Sequence, residues 1–224
     1  MKRIMILAFA LFLPAIASAE TFIVEDGDPR AVIIVAKDPP RTVHLAAKEL
    51  QTYLEKITGA KVEITSEPSG QPINIYVGES RHTRKLDIKT DELKNGAYRI
   101  VSGDDWLVLI GQDSDFTPIE PWPKGYDDIR SGKMQAEWNA ITGTQWGYPH
   151  SQLHKHYSGR NSLFGTPHET KTDEEGNVHV WTYDERGSFN AVCGFLRDLG
   201  VRWYMPGEIG EILPETKSIA LPKI

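Results

Sequence analysis

The chain has 224 residues, of which 40% are hydrophobic and 25% charged, and its 25 Lys and Arg against 31 Asp and Glu give a formal charge of −6. An acidic balance without basic clusters argues against a nucleic-acid partner. Cys193 is the only cysteine, which excludes an intramolecular disulfide.

Lys2 and Arg3 precede an apolar run from Ile4 to Ile16, and Ala17-Ser18-Ala19 supplies the small residues of a signal-peptidase site. Residues 1–19 therefore read as a signal peptide, and cleavage after Ala19 predicts a secreted or periplasmic protein. Without Lys2 and Arg3 the charge moves from −6 to −8. The run is shorter than the about 20 residues that span a bilayer, and an uncleaved anchor is the alternative. No later segment offers a span, so no membrane association is expected after cleavage. Residues 20–224 suffice for one core, read here as one domain with a large insertion.

Ala31 to Ala36 is a continuous apolar run, as in a strand covered on both faces. Val43, Ala46, Ala47, Leu50, Tyr53, Leu54 and Ile57 then recur at helical spacing, opened by Asp38-Pro39-Pro40 and closed by Gly59. Strands are expected at Lys61 to Thr65 and Ile73 to Val77. A hairpin is expected from Ala97 to Val101 and Trp106 to Ile110, turning through Ser102-Gly103-Asp104-Asp105.

From about Gln112 to Glu185 the composition changes. This insertion holds Trp122, Trp138, Trp146 and Trp181, four of the six tryptophans, and five of the seven histidines. A structureless loop of that length is unusual in a compact domain. Lys133 to Ala140 reads as a short helix and Val178 to Tyr183 as a strand.

After the insertion, Phe189, Val192, Cys193, Leu196 and Leu199 draw one apolar stripe along a helix, with Ser188 as N-cap and Gly200 just past the end. Cys193 on that stripe is expected to be a buried small hydrophobe. Val201, Trp203 and Met205 then alternate with Arg202 and Tyr204, the period of a strand with one buried face, until Pro206-Gly207. Ser218 to Leu221 would be a last strand or a linker. The element order thus reads as α/β (α+β), with a long aromatic-rich insertion.

The helix Leu45-Ala46-Ala47-Lys48-Glu49-Leu50-Gln51-Thr52-Tyr53-Leu54-Glu55-Lys56-Ile57-Thr58-Gly59, paired with the segment from Gly187 to Glu208, resembles the N-terminal domain of family 67 alpha-glucuronidases. It is also similar to the second domain of family 20 beta-hexosaminidases, and to secreted bacterial glycoside-hydrolase-like proteins that join such a domain to a barrel of unknown function. Ile73 to Val77 followed by Gly78-Glu79-Ser80, and the entry Asp184-Glu185-Arg186-Gly187-Ser188, fit the same pattern. The resemblance covers nearly all of Thr21 to Ile224 and rests on core and turn signatures. It implies a mixed sheet with two main helices packed on one face, and catalytic carboxylates on a barrel expected downstream of Ile224 and absent from these residues. The implied role is an accessory domain with no catalytic residues of its own and no cofactor.

His150, His154 and His156 form the one cluster with metal-ligand spacing, and a His pair four apart on a helix can share an ion. No carboxylate motif completes a site, so they are read as surface or interface histidines and no metal is expected. Trp146, Tyr148, Gln152, His154, Tyr157 and Arg160 combine flat aromatic faces with hydrogen-bonding groups, the mixture that binds sugar rings. The same residues would equally form a satellite core or an interface to the barrel, and a wall of the barrel's cleft satisfies both readings. Arg202 and Trp203 are further candidates for glycan or inter-domain contact, Arg202 through an ion pair. Glu208 and Glu211, three apart in a turn, read as solvated charges rather than a glycosidase pair. Asp113-Ser114-Asp115 reads as a turn, since the further ligands of a calcium loop do not follow.

The leading expectation is an exported, non-catalytic accessory domain that packs against a barrel acting on a glycan. A stand-alone carbohydrate-binding module using the insertion is one alternative. A small metal-dependent hydrolase using the histidines is another.

Overall fold

A computed structural model describes residues 20–115, 184–205 and 207–224, with isolated positions 127, 130–132, 136, 140 and 180 between them. The fold is α/β with mixed sheets. In chain order the main elements are β1 (Phe22–Glu25), β2 (Asp28–Pro29), β3 (Ala31–Ile34), α1 (Arg41–Thr58), β4 (Glu63–Thr65), β5 (Ile73–Val77), α2 (Arg81–Lys85), β6 (Tyr98–Ser102) and β7 (Trp106–Gly111). After them come β8 (Asp113–Ser114), β9 (Glu185–Arg186), α3 (Gly187–Asp198), β10 (Arg202–Trp203), a 3-10 turn (Glu208–Gly210), β11 (Glu211–Ile212) and β12 (Ile219–Ala220).

The main sheet has the order β4-β3-β5-β7-β6; its first four strands are parallel and β6 runs antiparallel beside β7. The strands and hairpin expected between Ala31 and Ile110 are present, with ends moved by up to two residues. Strand β3 has a neighbour on each side and all four of its residues are buried, as its unbroken apolar run requires. Alternation then sorts the side chains. Ile33, Ile75, Leu107 and Leu109 face the core shared with α1 and α3, whereas Val32, Ile34, Val108 and Ile110 face the other side, where Leu86, Ile88 and Trp106 pack.

Helix α1 buries the predicted stripe, with Ala46, Ala47, Leu50 and Leu54 fully inaccessible. Gly59 ends it in the left-handed conformation at φ 80. Both main helices lie on the same face, packed on each other. Helix α3 ends in the paired bonds of a Schellman motif: Gly200 N–H donates to Arg197 O and Val201 N–H to Leu196 O, both at 3.0 Å, with Gly200 at φ 105. Its start differs from expectation. The helix begins at Gly187 with Arg186 as N-cap, so Ser188 is already inside the first turn and fully buried. The chain must enter there because β7 and α3 nearly touch: a Cβ on Gly111 would stand 2.5 Å from the Gly187 backbone.

Two features lay outside the sequence reading. Strand β1 pairs with β2 and with the last strand, β12, in a separate three-stranded sheet. Helix α2 is a single turn capped reciprocally by Ser80 and Thr83. One expectation fails. Val201 is buried, but Trp203 and Met205 are exposed, because β10 pairs only with β11 in a two-stranded ribbon and does not join the main sheet. The expected helix Lys133 to Ala140 and strand Val178 to Tyr183 lie outside the described residues apart from isolated positions. Among the described residues, no helix is long and apolar enough to cross a membrane.

Candidate functional site

The fold has two poles. Helix α1 starts beyond the carboxyl end of β3 and α3 starts beside the carboxyl end of β7, so the first turns of both helices meet the carboxyl edge of the sheet. Their last turns lie at its amino edge.

At the carboxyl pole, the short pair β8–β9 forms the stem from which residues 116–183 depart, with Asp113 opposite Arg186 and Ser114 opposite Glu185. Asp113 and Asp115, on either side of Ser114, each cap one of the main helices from outside. Asp115 Oδ1 accepts from the Arg41 backbone N–H at 2.7 Å, at the start of α1. Asp113 Oδ1 accepts from the Ser188 backbone N–H at 3.0 Å, at the start of α3, and its Oδ2 from the Ser188 hydroxyl at 2.5 Å. A carboxylate at a helix N-terminus satisfies orphan donors and complements the dipole. The Asp-Ser-Asp sequence expected to be a turn is thus the pivot between the helices and the stem.

Arg41 closes the stem. Its guanidinium is 3.4 Å from Asp115 Oδ1 and 2.7 Å from Asp184 Oδ1, so one buried side chain bridges the residue before the insertion and the residue after it. Thr42 adds a hydroxyl bond to Glu185 O at 2.9 Å. In open α/β sheets, ligands enter at the carboxyl edge where neighbouring strands send their connections to opposite faces. Here Val43 stands against the Cα of Gly78, after β5, and Asp115 sits on the start of α1.

The amino pole is different. The ribbon β10–β11 and its connecting turn carry five of the seven exposed large hydrophobic residues among those described: Trp203, Tyr204, Met205, Ile209 and Ile212. Tyr204 is 73% exposed, Met205 57%, Ile209 94% and Ile212 53%. Apolar side chains gathered in this way mark an interaction surface more often than scattered ones do.

The ribbon is held firmly. Trp203 lies edge-on to Tyr53 of α1, with ring centroids 5.3 Å apart, and its indole N–H donates to the Tyr53 hydroxyl at 2.6 Å. That hydroxyl in turn donates to Glu211 Oε1 at 2.7 Å, and Lys56 Nζ donates to Glu211 Oε2 at 2.7 Å while lying over the Tyr53 ring. Burial and the bond to Glu211 push the Tyr53 hydroxyl up to about 12. The bonds from Lys56 and Tyr53 hold the Glu211 carboxyl below its ordinary value. Glu211 is therefore an anchor, not the solvated charge expected of it.

Arg202 lies beside the end of α3. Its guanidinium meets no carboxylate among the described residues; Nη1 donates to Arg197 O at 2.6 Å and Val201 O at 2.7 Å. The charge thus caps the Arg197 carbonyl in the last turn of α3 and holds the Val201 carbonyl just past it. Cys193 is half-buried rather than buried, and burial, reinforced by Glu49, pushes its thiol up to about 11. Of the candidate site residues, only Arg202 and Trp203 lie among the described ones. Trp146, Tyr148, Gln152, His154, Tyr157 and Arg160 fall outside them, as do His150 and His156. Among the described residues, no group of three metal-ligating side chains comes together.

A scan against models of known protein families and a search of curated proteins both return no match for this chain.

Proposed function

We propose that this chain is the accessory domain of an exported glycoside-hydrolase-like protein acting on a polysaccharide or glycan, and that it packs against a catalytic barrel. Its leader is residues 1–19, and it carries no part of the reacting machinery. The observation that supports this reading is the apolar ribbon Trp203–Ile212. It is rigid through Tyr53, Lys56 and Glu211, yet most of its large side chains face outward. A preformed apolar surface meets a partner with little ordering cost.

Position adds to the argument. The Ile224 N–H donates to the Ser102 hydroxyl at 2.9 Å, at the turn between β6 and β7, so the last residues run along the same amino pole as the ribbon. A domain joined through Ile224 would start within reach of it. The resemblance to the N-terminal domain of alpha-glucuronidases supplies the glycan and the barrel.

The test is to read the coding frame beyond Ile224 and to compare amide exchange with and without the following domain. An open frame encoding a barrel, with exchange at Trp203–Ile212 slowed in the longer protein, is the expected result. A stop codon directly after Ile224, or exchange in the ribbon unchanged by the barrel, overturns the proposal.

A further inference from the structure

Among the described residues, the carboxyl pole brings Asp113, Asp115, Asp184 and Glu185 around the buried Arg41 and the stem. Arg41 is shared between Asp115 and Asp184. Asp113, two residues before Asp115, is partly buried and accepts only from the neutral donors of Ser188; among the described residues no cation bonds it. The Ser188 hydroxyl is itself committed, accepting from the Gly111 N–H at 3.0 Å in the buried crossing of β7 and α3. The other charged groups of the cluster are Glu185, which accepts from the Gly96 N–H, and Arg186, which stands opposite Asp113 in the ladder. His44, in the first turn of α1, carries the imidazole of that helix.

We propose that the β8–β9 stem is a pH-responsive joint, paired more firmly in mildly acidic than in neutral solution, with the Asp113 carboxyl as its sensing group. The physical reason is the mismatch between burial and pairing. A carboxylate taken from water without a cation prefers its neutral form, and the acid form of Asp113 still accepts from the Ser188 N–H. Consistently, burial, opposed by the two Ser188 bonds and reinforced by the Glu185 charge, pushes this carboxyl from 3.8 up to about 6. The folded stem holds its proton more tightly than the open one, so pairing is strongest below about pH 4 and weakens as the pH rises to about 6. The geometry makes the effect local, since Asp113 belongs to a two-residue strand whose only ladder partner among the described residues is β9, at the start of α3.

The experiment is amide exchange of Ser114, Glu185 and Arg186 in the full chain at about pH 5 and about pH 7.5, corrected for intrinsic rates. Linkage between 3.8 and about 6 makes stem opening about ten-fold more populated at the higher pH. Asp113→Asn keeps the acceptor for the Ser188 N–H and removes the titration, so it flattens the dependence. A wild-type ratio within about two-fold, or an undiminished dependence in Asp113→Asn, overturns the proposal by assigning the effect to nothing or to another group. Should Asp113→Asn fail to fold, the carboxyl carbon shift of Asp113 in the wild-type protein decides. A midpoint near about 6 supports the joint, and one in the ordinary carboxylate range refutes it.

Discussion

Removing the Arg41 guanidinium tests the account of the carboxyl pole. The Asp184 side chain is fully inaccessible and Arg41 is 5% exposed, so Arg41→Ala deletes a buried cation from two carboxylates at once. Breaking a buried ion pair from one side costs about 3–5 kcal/mol, because the remaining charge stays desolvated. Against a domain stability of roughly 5–15 kcal/mol this is a large fraction. At roughly 2 kcal/mol per molar urea the unfolding midpoint falls by about 2 M. The double variant Arg41→Met with Asp184→Leu removes the fully buried pair and leaves only the partly exposed Asp115 without the guanidinium, so it recovers part of that loss. Urea unfolding followed by circular dichroism measures both, with exposed Arg81→Ala as the control. If Arg41→Ala costs less than about 1 kcal/mol, the range of a surface ion pair, the bridge is not what holds the stem and the reasoning fails.

Tyr53→Phe removes the hydroxyl between Trp203 and Glu211; we expect faster amide exchange across Trp203–Ile212 with a global loss of about 1–2 kcal/mol. The anchor also responds to acid, in the opposite sense to the stem. Glu211 titrates below 4.5 in the fold, so its contribution is present above that value and lost as pH falls through its folded one, and exchange in the ribbon should rise only there. Replacing Tyr204, Met205 and Ile209 by Ser should reduce dye binding and self-association, read by light scattering, while leaving the melting temperature within a few degrees. Gly187→Ala places a Cβ 2.7 Å from the Gln112 nitrogen and the Gly111 Cα, and thermal unfolding should show a loss of about 1–3 kcal/mol.

The parts of this fold legible in the sequence are those whose cause is local. The stripe from Val43 to Ile57 and the closing Gly59 contain their own spacing, and the apolar runs of β3 and β5 state that both faces are covered. What could not be read depends on partners far along the chain. Arg41 follows two prolines at a helix start, where a cation opposes the dipole, and its partners 74 and 143 residues away explain it. The alternation of Val201, Trp203 and Met205 is genuine, yet it promised a buried face that a two-stranded ribbon does not supply. Asp113 and Asp115 gave a turn-like signal, because nothing within three residues shows that each reaches a different helix. Tyr53 belonged to the predicted apolar stripe, and its hydroxyl, the hub of the ribbon anchor, was invisible in that pattern.

The pairing of β1 with β12 carries a consequence for how the protein is made. Phe22 and Val24 lie beside Ala220 and Ile219, and the Leu221 N–H reaches back to Thr21 O, so the first strand is sealed by the last. Contacts of such long sequence separation form late, after most of the loop entropy has been overcome. A nascent chain whose residues 219–220 are still in the ribosome leaves the inner flanks of Ile23 and Val24 uncovered. Closure of this small sheet therefore waits until β12 has emerged, long after β1 is made.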